Sequence, residues 1–110
     1  MQRDKRKHLG GMWEATAGGS ALQGEDSLSC ARRELREETG IISGELIENG
    51  RVLHYSHKTY YVDYLCITNA DKSSVVLQEG ETMSFKWVTA SALRKTPRNE
   101  LASMRQIFFI

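Results

Sequence analysis

Between Gly19 and Ile41 the chain reads GSALQGEDSLSCARRELREETGI, and the spacing of its acids constrains the chain more than any other feature. Asp26 or Ser27 is a good N-cap, because a side-chain oxygen there accepts from the first free amides of a helix. Gly40 is a good residue to end it, since glycine enters the left-handed region at little cost. The spacing therefore predicts one helix of ordinary length between them. At about 100° per residue, Leu28, Ala31, Leu35 and Thr39 share one stripe, expected to pack against a sheet, while Glu34, Glu37 and Glu38 share an adjacent arc.

That arc conflicts with stability. Like charges at i, i+4 repel, and the last turn of a helix is the negative end of its dipole. A divalent cation resolves the conflict: magnesium prefers hard oxygen ligands, a few carboxylates completed by water and phosphate oxygens. Arg33 lies beside the arc and can pair with Glu37 at i, i+4 to orient the carboxylates. Ahead of the helix, Gly18, Gly19 and Gly24 permit tight turns and close backbone approach. Glu25 can either return to the same site or hold this loop in place.

The pattern G-x5-E-x7-R-E-U-x-E-E-x-G-U, with U aliphatic, is the Nudix box, and Gly19, Glu25, Arg33, Glu34, Leu35, Glu37, Glu38, Gly40 and Ile41 match every fixed position. The chain thus resembles a Nudix hydrolase. The resemblance implies an α/β fold, an α/β/α sandwich around a mixed β-sheet, in which the box forms a loop–helix–loop binding Mg²⁺ or Mn²⁺. It also implies hydrolysis of a small-molecule diphosphate, typically a nucleoside diphosphate linked to another group. Carried over by position, Glu34, Glu37 and Glu38 are metal ligands, Glu25 a supporting acid or further ligand, and Arg33 the residue that orients the glutamates. The metal would neutralise the diphosphate and prepare water for attack on phosphorus. The general base in this family is a box glutamate such as Glu37 or an acid on a later loop. Glu79 and Glu81 are the later candidates here, with Glu81 preferred because it precedes the next strand.

Beyond the box, QRDKRK followed by GGMWEATAGG is similar to the end of the family's first strand, a basic loop, and a short strand leading into the box; WVTASAL is similar to its strand-to-helix segment. Arg3 is then expected to contact substrate phosphate, with Gly18 and Gly19 at the substrate; Lys5, Arg6 and Lys7 are weaker candidates. The stretch WEATAGGSALQGEDS is similar to the branch holding isopentenyl-diphosphate isomerases and their hydrolase relatives. Those isomerases carry a cysteine before a Gly-His pair, where this chain has Ala17-Gly18-Gly19, which argues for hydrolysis over isomerisation. The family's usual first strand is not found ahead of the QR segment. A fragment or misassigned start, another element in its place, or a second copy covering the gap each account for this. A homodimer through the exposed edge or the C-terminal helix is the preferred expectation. A catalytically weak or inactive binding or regulatory module is the alternative function.

Composition bounds the rest. With 110 residues and 40% hydrophobic content the chain suits one small domain, residues 1–110. A net charge of +1 gives no global attraction to nucleic acid, so no stable nucleic-acid partner is expected. No long apolar run or signal pattern indicates a membrane. Cys30 and Cys66 are far apart and form neither a disulfide framework nor a zinc spacing, and both are expected buried or half-buried. A reduced cytoplasm is the expected setting. His8, His54 and His57 share no ligand spacing.

The remaining pattern predicts short strands at Met12–Ala17 and Val75–Leu77, and a hairpin of Arg51–Ser56 with Thr59–Thr68 about His57 and Lys58. Both faces of the second hairpin strand are largely apolar, which predicts a strand covered on both sides. Asp71–Ser74 reads as a polar turn and Ser84–Val88 as a strand. Thr89 caps a helix over Ala90–Lys95, Pro97 breaks it, and a final helix spans Arg98–Phe109. Trp13, Tyr55, Tyr60, Tyr61, Phe85 and Trp87 can stack on a substrate, though core packing is the more common use of aromatics.

Overall fold

The structure is a computed structural model that describes residues 1–54, 56 and 58–102, His54 by its backbone alone. Its elements run β1 (Gln2–Arg3), α1 (Ser27–Thr39), β2 (Glu45–His54), β3 (Thr59–Ile67), β4 (Thr82–Ser84) and α2 (Ala90–Arg94), with 3-10 turns at Lys72–Ser74 and Arg98–Glu100. The fold is α/β, with its strands in two small antiparallel sheets, β1 with β4 and β2 with β3.

α1 has the predicted ends. Asp26 Oδ1 accepts from the Ser29 amide at 2.7 Å, and Gly40 closes the helix in the left-handed region at φ 77°, its amide bonded to the Arg36 carbonyl. The predicted apolar stripe is shifted. Thr39 is buried, its hydroxyl donating to the Leu35 carbonyl at 2.6 Å and accepting from the Ile41 amide at 3.1 Å. The other buried side chain of the helix is Cys30, whereas Leu28 stays 43% exposed. The first turn of the helix reaches β3 through a 2.7 Å bond between the Ser27 and Tyr64 hydroxyls.

The hairpin of β2 and β3 is longer than the pattern predicts. β2 begins at Glu45, six residues before Arg51, and its register steps between Glu48 and Gly50. Asn49-Gly50 has residue types common in tight turns, but a bulge absorbs it and pairing continues to His54 opposite Thr59. β3 is not covered on both faces as predicted. Among the described residues it pairs with β2 alone, and Tyr60 on one face and Leu65 and Ile67 on the other are exposed.

β1 is the centre of a second, narrow strip. Gln2 pairs antiparallel with both Ser84 and Trp13, and Trp13 bridges in parallel to Leu101. Backbone bonds from Trp13 to the Glu100 carbonyl (2.8 Å) and from Ala102 to the Trp13 carbonyl (2.9 Å) fix the last segment. Leu101 is buried there, and with Cys30 and Ile41 forms the buried apolar set among the described residues.

Several boundaries differ from the sequence pattern. The Met12–Ala17 strand is reduced to the bridges at Trp13, and Val75–Leu77 forms no strand, Val76 donating instead to the Thr39 carbonyl at 2.9 Å. The strand placed at Ser84–Val88 is Thr82–Ser84. The final helix does not run through Arg98–Leu101, where a single 3-10 turn gives way to extended backbone at Leu101 (φ −108°, ψ 128°); Met104 to Phe109 lie outside the described residues. α2 follows its Thr89 cap as predicted, ending at Arg94. Trp87 is half exposed and donates to the Lys72 carbonyl at 2.8 Å, Lys86 sits 4.4 Å over the Trp13 ring, and Arg51 5.8 Å over Tyr60. Tyr55, His57 and the side chain of His54 lie outside the described residues. No helix among the described residues is long and apolar enough to cross a membrane.

Candidate active site

The loop from Leu22 to Asp26 and the helix α1 meet at one guanidinium. Arg33 donates from Nε and Nη2 to both oxygens of Glu25 at 2.8 and 3.0 Å, and from Nη1 to Glu34 at 3.0 Å and Glu37 at 3.1 Å. A further bond from Nη2 reaches the Ser20 carbonyl at 3.2 Å. A planar fork suits this task, because it fixes three carboxylates at once where a lysine ammonium could not. The Arg33 guanidinium, together with the Leu22 amide at 3.0 Å, holds the Glu25 carboxyl down to about 2. Glu25 thus anchors Arg33 and the glycine-bounded loop, in which Gly24 takes a φ of 82°.

Glu38 turns away from Arg33. Its Oε2 accepts from the Gly18 amide at 3.0 Å. Burial pushes its carboxyl up to about 7, and the nearby Glu34, Glu14 and Glu81 charges push the same way against that hydrogen bond. Gly19 makes room for Glu34: a Cβ there would lie 2.5 Å from Glu34 Oε1. Gly18 and Gly19, placed at the substrate by resemblance, here contact the box glutamates. Cys30 is buried under the same loop, its thiol 3.7 Å from the Gly19 carbonyl, and burial raises its pKa.

Glu34, Glu37 and Glu38 open onto a pocket of about 360 Å³ that also receives Arg3, Gly18, Gly19 and Glu81. With Lys7, one of the weaker phosphate-contact candidates, eight of the residues singled out in the sequence are therefore together. Arg33 and Glu25 stand behind this wall, and Glu79 is not part of it. The pocket adds two residues that the sequence had not marked for it, Glu14 and Gln78, while Lys5 and Arg6 are not part of it. Glu14 pairs with Arg3 and Lys7 with Glu81, so each basic residue meets an acid from outside the box. The available signal for Glu14 was its place beside Trp13, one acid in an otherwise apolar stretch leading to the box.

The donor set fits a hard divalent cation, since the wall is built of carboxylates with five glutamates against two cations. Among the described residues no three side chains yet form a closed ligand cluster, Glu34 and Glu37 being bonded to Arg33 and Glu38 to Gly18.

The family model for the NUDIX domain matches residues 1–108. Over 82 residues the chain is 35% identical to an uncharacterized Nudix hydrolase of Listeria monocytogenes, covering 74% of this chain and 48% of that protein. Over 86 residues it is 33% identical to the uncharacterized Nudix hydrolase YfcD of Escherichia coli K12, covering 78% and 47%. The chain spans about half the length of the curated relatives it matches. The family generally uses a divalent metal. With the box, the glutamate-walled pocket and a domain match over nearly its whole length, the chain belongs to the Nudix family.

Proposed function

We propose that the chain is a Mg²⁺-dependent hydrolase of a small-molecule diphosphate, with Mn²⁺ able to substitute. The observation that supports this most is the pocket itself, where box glutamates face Arg3 and Lys7 across a space large enough for a diphosphate. Glu34, Glu37 and Glu38 would hold the metal, and Glu25 would support them through Arg33. When bound, the cation supplies charge neutralisation of the diphosphate and a more acidic water.

The chain's own groups divide the remaining work. Arg3 binds a phosphate oxygen; its backbone is locked by bonds to Met12 and Gly11, and Nε is tied to the His8 carbonyl at 2.8 Å. Arg33 keeps Glu34 and Glu37 aimed into the pocket. Glu81 takes the proton from the attacking water, with Glu37 the other candidate base. The setting is a reduced cytoplasm, supported by two free cysteines and no disulfide among the described residues. A homodimer is supported by Ile47, Leu65 and Ile67, exposed on one face of the hairpin.

A second reading, a binding or regulatory module without turnover, rests on Glu34 and Glu37 being held by Arg33. One experiment separates the two: release of phosphate or monophosphate from a panel of diphosphates with Mg²⁺ or Mn²⁺, wild type beside Glu37→Gln. Metal-dependent turnover, abolished by the metal chelator EDTA and lost in the variant, is the expected result. No turnover across the panel with metal still bound refutes hydrolysis and favours the module.

A further inference from the structure

The two basic residues of the pocket are held differently. Arg3 lies on β1, with its backbone in the sheet, its Nε on the His8 carbonyl and its Nη1 on Glu14. Such a guanidinium is fixed before any ligand arrives. Lys7 is carried by the loop between β1 and Trp13, and the one contact its ammonium makes among the described residues is Glu81 Oε2. The loop itself is firm. The Asp4 amide bonds to the Glu81 carbonyl at 3.0 Å, the Lys7 amide to the Asp4 carbonyl at 3.1 Å, and Asp4 is chelated by Arg6. Gly10 lets the loop close, since a Cβ there would meet the Lys5 carbonyl oxygen at 2.5 Å. A flexible four-carbon stem on a firm loop can swing its charge without moving the backbone.

Glu81 is equally placed for exchange. It lies just after the turn at Gly80 (φ 82°), its amide bonded to the Gln78 carbonyl at 3.1 Å, and its carboxylate lines the same pocket as Glu34, Glu37 and Glu38. While Lys7 sits on it, this acid is masked. An anion entering the pocket competes with Glu81 for the ammonium, and a diphosphate offers more charge and more acceptor oxygens than one carboxylate.

We propose that Lys7 is a positioning residue that exchanges partners: it leaves Glu81 for the incoming diphosphate, and so couples substrate capture to exposure of the Glu81 carboxylate in the pocket. Resting on the function proposed above, this names the residue that senses the diphosphate and what the sensing releases.

The test is calorimetric titration of inorganic pyrophosphate into the full chain at saturating Mn²⁺, for wild type, Lys7→Met, Lys7→Arg and Glu81→Gln. Partner exchange gives opposite signs at the two ends of the pair. Lys7→Met should weaken pyrophosphate binding by about tenfold or more, and Lys7→Arg should restore most of it. Glu81→Gln, which removes the competitor, should tighten binding several-fold. A purely structural clamp between loop and turn predicts that Lys7→Met and Glu81→Gln weaken binding alike, and that result overturns the proposal. Tight wild-type binding that Lys7→Met leaves unchanged also overturns it while leaving the hydrolase reading intact. No pyrophosphate binding by the wild type overturns the partner exchange, while the hydrolase reading is decided separately by the turnover panel. Unchanged Mn²⁺ affinity in Lys7→Met, read by electron paramagnetic resonance, shows that a loss is not a failure to fold.

Discussion

Glu38→Gln should make the metal-free protein more stable in alkali and leave it unchanged in acid. In the folded chain the Glu38 carboxyl titrates at about 7, against 4.5 for the ordinary group, chiefly because it is half-buried and also because Glu34, Glu14 and Glu81 surround it. The folded state therefore holds a proton across that window that the unfolded state has released, and stability falls as pH rises from about 4.5 to 7. At about 1.4 kcal/mol per pH unit the full separation amounts to roughly 3 kcal/mol. Water reaches part of the carboxylate and screens it, so ~1–2 kcal/mol is the expected cost. Glutamine carries no such cost at any pH, and its carbonyl oxygen can still accept from the Gly18 amide.

For a domain of this size ~1–2 kcal/mol corresponds to roughly 5–10 °C in Tm. Thermal unfolding followed by circular dichroism in EDTA should show wild type and Glu38→Gln within a degree or two at pH 4. The variant should be ahead by the full margin at pH 8, with the gap opening between. Other titrating groups are common to both proteins and cancel in the difference. A gap that is constant from pH 4 to 8, or a less stable variant at pH 8, would falsify the account of Glu38. Adding Mn²⁺ at pH 8 should reverse the order, since the wild type then gains a ligand that the variant lacks.

Four further outcomes follow from the same geometry. Gly19→Ala places a methyl where Glu34 Oε1 now lies, so Mn²⁺ affinity measured by paramagnetic resonance should fall by ~10-fold or more with the fold intact. Arg33→Gln removes the group that holds the Glu25 carboxyl at about 2; that contribution to stability is present above about 4.5 and lost as pH falls through about 2, so urea unfolding should separate variant and wild type at pH 7 and bring them together below pH 2. Gly40→Ala should cost ~1 kcal/mol for forcing alanine into the left-handed region. Gly44→Ala should cost more in the same denaturation assay, since at φ 103° its methyl would also meet the Ile67 carbonyl oxygen at 2.6 Å.

What the sequence made legible was local, and what it hid was not. The ends of α1, the Arg33–Glu37 pair and the separation of Glu34, Glu37 and Glu38 into one arc depend on residues within a turn or two of each other, and spacing alone encodes them. Even the loop ahead of the helix carries its signal in adjacent glycines. By contrast, Lys7 meets Glu81 across 74 positions, and Glu14 meets Arg3 because β1 doubles back beside Trp13. No periodicity marks such a contact, because it is made by chain reversal rather than by repeat. The bulge in β2 shows the same limit from the other side: Asn49-Gly50 has the local chemistry of a turn, and only the pairing of nine residues of β3 against it keeps the strand going. The two kinds of information also divide the site. The box supplies the carboxylates that a metal needs, and these are written contiguously. The other charged groups of the pocket, Arg3, Lys7, Glu14 and Glu81, come from β1, the segment that follows it and the turn before β4, so this part of the pocket is assembled by folding from distant segments.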